Sequence, residues 1–228
     1  MRRGCCPVPV ILTVWAWLPL ALHAQSTTPA DGRVEVSVGT SWTGAIAFPV
    51  PDALEEDRDG NPFRLFAADS ELRPAAGYGG RIALRLGGRL QVETGLSYSE
   101  PDLVVHASSD VEGAEALSIT ETISQFQIEA AMVAALTPWR PGQRNVPFVT
   151  AGAGYLRELH EGQTLVVSGR SYFLGGGMKR VLKIRQGSWL KAAGVRVDGR
   201  LVARSKGAGF DERVHLAPVF GGSLFVRF

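Results

Sequence analysis

The chain has 228 residues, with 24 Lys and Arg against 22 Asp and Glu, two Cys, and a mean hydropathy of +0.06. That length suits one domain or a small pair. The hydropathy excludes a bundle of membrane helices, and the near-neutral charge gives no global bias toward nucleic acid or anionic lipid. A β-barrel that alternates apolar-out and polar-in crosses lipid at this average. Pattern therefore has to separate such a barrel from a soluble β-protein.

The amino terminus reads as a targeting segment. Arg2 and Arg3 precede an apolar run from Val8 to Leu22, and Ala24 offers a small residue for cleavage. This is the layout of a secretory signal peptide over residues 1–24. The run is short of the ~20 apolar residues that a spanning helix needs. Cys5 and Cys6 lie before the run, so a lipidated cysteine after it is not expected. The exported chain then has no cysteine, hence no disulfide and no thiolate metal site. Residues 25–32 form a short polar leader, and 33–228 form the expected barrel domain.

Eight stretches alternate with a period of two, the side-chain period of a strand. The first runs from Arg33 to Trp42, with Val34, Val36, Val38, Thr40 and Trp42 on one face and Glu35, Ser37, Gly39 and Ser41 on the other. The second, Tyr78 to Leu86, places Ile82 and Leu84 opposite Arg81 and Arg85. Gly87-Gly88 makes a tight turn, because glycine accepts the backbone angles of short hairpins. The third returns from Leu90 to Tyr98, with Glu93 and Gly95 on the polar face. The fourth, Gln125 to Leu136, sets Phe126, Ile128 and Met132 against Gln125, Gln127 and Glu129. Pro138 and Pro141-Gly142 end it. The fifth runs from Phe148 to Leu159. The sixth, Tyr172 to Val181, carries Leu174 and Met178 outward, with Lys179 on the polar face. The seventh, Trp189 to Val197, is expected to turn Arg196 and the following Asp198 inward. The eighth closes the chain, with Phe220, Leu224, Val226 and Phe228 on one face and Gly221, Ser223, Phe225 and Arg227 on the other.

The connections alternate long and short. Residues 43–77 and 99–124 are read as long loops, 199–213 as a moderate one, and Gly87-Gly88 and Gln186-Gly187 as tight turns. That alternation is expected of an up-and-down barrel with short turns at one end and long loops at the other. A soluble barrel has the reverse polarity, and a shift of one residue exchanges the faces. Two features favour the membrane form. The polar faces mix bulky charges with Gly39, Gly95, Gly152 and Gly154, which suits ion pairs in a narrow lumen. Trp42, Tyr78, Tyr98, Tyr155, Tyr172 and Phe228 fall near strand ends on the apolar face, where rings form girdles at the lipid–water boundary. The fold class is thus all-β, an eight-stranded antiparallel up-and-down transmembrane barrel.

With these features assembled, the chain resembles the small bacterial outer-membrane barrels of the OmpA/OmpX-like superfamily. The matching pieces are Gly152-Ala-Gly154-Tyr155, Gly175-Gly-Gly177, Arg196-Val-Asp198 and the final Leu224-Phe-Val-Arg-Phe228. The resemblance implies outer-membrane lipid and lipopolysaccharide as surroundings. It also implies recognition of Phe220, Leu224, Val226 and Phe228 by the barrel-assembly machinery. No peptidoglycan-binding domain is expected, because none follows the last strand. An extracellular partner is not legible.

Chemistry is sparse. In a lumen this narrow, Arg81, Arg85 and Arg196 are expected to meet Glu35, Glu93, Glu129 or Asp198, since an unpaired buried charge costs several kcal/mol. A gated channel is the functional reading of the same groups. His106, His160 and His215 show no metal-binding spacing, and no cofactor is expected. His106-Ala-Ser108 resembles the His–Ser pairs of lipid A deacylase barrels, with Asp110 and Glu112 as nearby carboxylates, but it falls in an expected loop. Gly175-Gly-Gly177 lacks the Lys-Ser/Thr of a phosphate loop. Glu55-Glu-Asp-Arg-Asp59 reads as a solvated tip, with a cation site as the sharper alternative. Ile46-Ala-Phe48 and Phe63-Arg-Leu-Phe66 flank that tip and are expected to extend the strands or pack the loops together. The expected function is a non-enzymatic surface barrel with a structural or adhesive role. The alternatives are a small selective channel or a lipid A-modifying hydrolase.

Overall fold

A computed structural model describes residues 32–49, 53–56, 62–108, 117–137, 144–160, 166–184, 189–205 and 214–228. The expected signal peptide, nearly all of the expected leader, Asp57 to Asp59 of the acidic tip, and Asp110 and Glu112 lie outside them. The described chain forms thirteen strands. These are β1 (Val34–Thr43), β2 (Ile46–Pro49), β3 (Ala53–Glu56), β4 (Pro62–Leu72), β5 (Ala75–Arg85), β6 (Leu90–Ser99) and β7 (Asp102–Ser108). The rest are β8 (Leu117–Thr122), β9 (Ser124–Ala135), β10 (Asn145–Leu159), β11 (Val166–Ile184), β12 (Ala192–Ser205) and β13 (Val214–Arg227).

Eight of them close a barrel in the order β1-β13-β12-β11-β10-β9-β6-β5, and β1 pairs with β5 to seal it. All pairs are antiparallel and join wall strands that follow one another along the chain, apart from the contact of the first strand, β1, with the last, β13, where Trp42 stands opposite Phe220. Closure leaves no unpaired edge in the wall, the condition for irregularity-free passage through hydrocarbon.

Polarity alternates along every wall strand. Val38, Ile82, Leu84, Leu96, Ile128, Met132, Leu174, Val197, Leu201 and Leu224 all face outward and are exposed, whereas Glu35, Glu93, Lys179, Arg196 and Asp198 face inward and are buried. This is the apolar-out polarity of a transmembrane barrel. Aromatic rings cluster at one margin of the belt. Trp42 stacks on Phe220 with centroids 6.1 Å apart, and Tyr78, Tyr98 and Phe126 follow in contact at 5.4 and 4.7 Å. At the other margin Trp189 stacks on Phe228 at 5.0 Å.

The two long connections are not loops. β2, β4, β7 and β8 form a second sheet in that order, and β3 pairs with β4. This crown stands at the aromatic end of β1, β5, β6 and β9, which are 10 to 12 residues long. On the other half of the barrel, β10 to β13 run 14 to 19 residues and rise past the belt themselves. Strand ends therefore depart from the sequence expectation mostly upward. β11 begins at Val166 rather than Tyr172, β13 at Val214 rather than Phe220, and β12 continues through Gly199 to Ser205. At the opposite end β12 starts at Ala192, so Trp189 is outside it. The period of two in fact runs on in β12 and β13, with Leu201, Val214 and Leu216 outward and Arg200, Arg204 and Ala217 buried, so Gly199 does not end the seventh strand, contrary to the sequence expectation.

A single positive charge placed in the mid-belt tests the polarity. Met132→Arg is expected to lower unfolding stability in lipid vesicles by about 2–4 kcal/mol. Urea titration followed by tryptophan fluorescence reads the loss. The same substitution in a soluble barrel of this exposure leaves stability nearly unchanged.

Candidate functional site

Two regions could carry function: the lumen and the crown. The lumen is built around Lys179 of β11, which is fully buried. Its Nζ donates to Glu35 Oε1 at 2.6 Å, Gln91 Oε1 at 3.1 Å and Glu93 Oε1 at 3.3 Å. Arg227 Nε donates to the other Glu35 oxygen at 2.7 Å. Arg196 Nη1 donates to both oxygens of Glu93, at 2.6 and 2.8 Å, and its Nε donates to Asp198 Oδ1 at 3.1 Å. Asp198 also accepts from Arg81 Nη1 at 3.3 Å. Arg200 Nη1 donates to Glu129 Oε2 at 2.8 Å. Arg200 Nε lies 3.1 Å from Asp198 Oδ2 without hydrogen-bond alignment, so that contact is Coulombic.

Toward the crown the network becomes amide-based. Gln125 Nε2 donates to Glu158 Oε1 at 2.6 Å, and Arg204 Nη1 donates to Gln125 Oε1 at 3.3 Å. Rings fill the remaining section. The Arg196 guanidinium lies 4.5 Å from the Phe148 ring centre, Arg200 5.0 Å from Phe173, and Arg227 4.8 Å from Phe225. Each such stack adds cation–π attraction to charge pairing.

Register explains how so much bulk fits. Asp198 stands opposite Gly177 and Arg200 opposite Gly175 across β11 and β12. Arg81 and Glu129 flank Gly95 from either side. Phe173 lies over Gly152. A Cβ at Gly175 meets Arg200 Cγ at 2.7 Å, and one at Gly152 meets the Phe173 ring at 2.5 Å. The glycines are the space that the large groups occupy.

Among the sequence-predicted lumen residues, Glu35, Arg81, Glu93, Glu129, Arg196 and Asp198 share this network. Arg85 sits at the mouth beside the Gly87-Gly88 turn, partly exposed. Sequence reading missed Arg200 and Arg204, placed in an expected loop, and the central role of Lys179. Phe225, placed by the sequence on the inner face of the last strand, is buried there. Continuing the period of two through Gly199 exposes Arg200 and Arg204 as inward positions.

The space left over is small. A cavity of about 60 Å³ lies under the crown, lined by Ser41, Ser97, Ser99, Gln127, Glu129 and Arg204, among others. A second of about 10 Å³ lies beside Glu93, Arg196 and Phe173. These volumes hold a few waters. It is a plugged transmembrane barrel.

The crown is welded to the far wall rather than standing free. Ile46, Phe48, Leu72, Leu103 and Ile123 bury against Ala217 of β13, with Val105 packed on the cluster. The expectation that Ile46-Ala-Phe48 packs the loops together is met here. Phe48 meets the His215 ring edge-on at 4.7 Å. His160, just past β10, lies with Nδ1 3.0 Å from Glu121 Oε1 at the end of β8. His106 is not in a loop: it lies on β7, exposed, opposite Asp69 and Ser118 in the crown sheet and away from the lipid-facing wall. No group of three or more His, Cys, Asp or Glu suited to a metal occurs among the described residues.

No protein-family model and no curated protein matches the chain. Solved structures similar in shape include Neisserial surface protein A, with 10% identity, TM-score 0.48, and 85% of this chain and 97% of that one covered. Ail, the attachment invasion locus protein of Yersinia pestis, matches with 13% identity and TM-score 0.43 over 87% and 99%. The N-terminal β-barrel domain of Pseudomonas aeruginosa OprF matches with 17% identity and TM-score 0.32 over 83% and 96%.

Removing the central cation tests the lumen. Lys179→Met leaves Glu35 and Glu93 short of a buried partner and is expected to cost on the order of 3–5 kcal/mol. Vesicle unfolding reads it. In a double-mutant cycle Glu35→Gln recovers part of the loss, because it removes one of the stranded charges.

Proposed function

We propose that this chain is a non-enzymatic outer-membrane barrel that anchors a surface-interaction crown. One observation carries the reading: the open edge of the crown sheet. β8 pairs with β7, and among the described residues no strand pairs with its other side. It reads Leu-Ser-Ile-Thr-Glu-Thr, and Leu117 and Ile119 are exposed. A β-rich edge with unpaired backbone donors and acceptors is a template for strand addition by a partner. The barrel beneath it is rigid and plugged, which suits a pedestal. Export by the amino-terminal segment, lipopolysaccharide around the crown end, and assembly through the outward stripe of Phe220, Leu224, Val226 and Phe228 belong to the same proposal.

Two competing readings make different predictions. A selective channel gives resolved current steps in planar bilayers; a pedestal gives none. A lipid A hydrolase changes the lipid A mass profile of cells that express it; a pedestal leaves the profile unchanged.

The crown itself is tested by display on a non-adherent bacterium. Cells carrying the wild-type chain are expected to bind immobilised serum or matrix protein. Leu117→Lys with Ile119→Lys is expected to reduce binding at least tenfold while heat-modifiable migration in gels persists, because edge lysines block strand addition. Equal binding by both forms removes β8 from the proposal.

A further inference from the structure

The two ends of the barrel differ in charge as much as its inside and outside. At the crown end Asp69, Glu71 and Glu100 are exposed. At the other end the exposed charged side chains among the described residues are Arg33, Arg89, Arg144, Arg180 and Lys183, all basic. The nearest acidic residues on those strands, Glu35 and Glu93, point into the lumen and are buried. The connecting segments 137–145 and 179–191 contain no Asp or Glu at all in the sequence. At the crown end exposed Arg73, Arg157 and Arg170 stand among those carboxylates, so among the described residues only the opposite end presents exposed charges of a single sign.

The cations form a continuous arc. Ala135 of β9 donates its backbone N–H to Arg89 O at 2.8 Å, which places the β5–β6 turn against the foot of β9. Val181 of β11 donates to Arg144 O at 2.7 Å, and Arg180 stands opposite Asn145. Lys183 then stands opposite Ala193 of β12. The arc runs from β6 through β9, β10 and β11 to β12.

Its height is fixed by the apolar belt. Arg89 precedes exposed Leu90, and Arg180 lies between exposed Met178 and Leu182. At ~3.3 Å per residue, each cation starts within one or two residues of the belt margin and reaches outward along its own aliphatic stem. Trp189, 77% exposed, marks the same level, and tryptophan favours the boundary between hydrocarbon and headgroups. A band of cations at that depth, parallel to the membrane and around the perimeter, faces lipid headgroups rather than the aqueous side where a protein would approach.

We propose that this rim is an annular site for anionic phospholipid, recognised through its phosphate, in the leaflet away from the crown. The inference rests on the transmembrane reading of the barrel. Clustered Lys and Arg at a membrane surface attract anionic headgroups, and added salt screens the attraction.

The full chain is refolded into nanodiscs of mixed phosphatidylglycerol and phosphatidylcholine, and lipids retained on the released barrel are counted by native mass spectrometry. The wild-type barrel is expected to retain phosphatidylglycerol several-fold above its share of the mixture. Arg89→Gln, Arg144→Gln, Arg180→Gln and Lys183→Gln together are expected to bring retention to that share. Arg157→Gln with Arg170→Gln, which removes outward cations near the crown end, is expected to leave the enrichment in place. Molar salt during equilibration of the wild-type chain is expected to abolish it, a check that needs no variant to fold. Insertion in both lipids without enrichment, or enrichment that survives the four rim substitutions or salt, overturns the rim site and leaves the barrel reading intact. Failure to insert into either lipid, read by circular dichroism and gel migration, overturns both.

Discussion

The fold depends on filling a closed cylinder that is too narrow for water and too polar for an oily core. Eight strands leave room for side chains but little else. The inner positions of this chain carry ionised groups, and each buried charge costs several kcal/mol unless a partner meets it. Lys179 answers that cost by serving Glu35, Gln91 and Glu93 at once, and Arg196 links Glu93 to Asp198. The chain of charges crosses the barrel from β1 and β6 to β11, β12 and β13. It therefore fastens β1 and β6 to β11, and β6 to β12, strands that share no backbone hydrogen bonds.

Bulk has to be distributed as carefully as charge. The register sets Gly177, Gly175 and Gly152 against Asp198, Arg200 and Phe173. Where large inner groups do face each other, as Glu35 faces Arg227, they are ion-paired or, as with Lys179 and Arg196, share a carboxylate in Glu93. Hydrogen-bonded register and ion-pair geometry are consequently one constraint. A slip of one residue would put arginines in lipid and leucines in the lumen. Glycines scattered along the polar faces are the sequence trace of that constraint.

Above the ion-paired lumen stands the crown sheet. That sheet gains its own small core by burying Ile46, Phe48, Leu72, Leu103 and Ile123 on β13 at Ala217. Long strands on one half of the barrel and the crown on the other bring Glu121 to His160 and Phe48 to His215 across the mouth. The edge at β8 is left facing outward by that arrangement. Charge is distributed unevenly along the same axis, mixed at the crown and, among the exposed described residues, basic at the opposite rim.

The sequence by itself determined the eight wall strands, their polarity and most of the inward charges. A period of two is a local property, and Val34-Glu-Val-Ser-Val or Leu90-Gln-Val-Glu shows it without reference to any other strand. The tertiary structure alone decided which charges meet. Lys179 is 144 residues from Glu35, and Arg227 is 192 residues from it, so their pairing follows from closure and shear rather than from spacing. It also decided that β2, β4, β7 and β8 form a sheet. Ile46 and Phe48 are legible in the sequence as packing residues, but only the fold shows that β13 supplies the surface that covers them, because strand packing depends on neighbours distant in the chain.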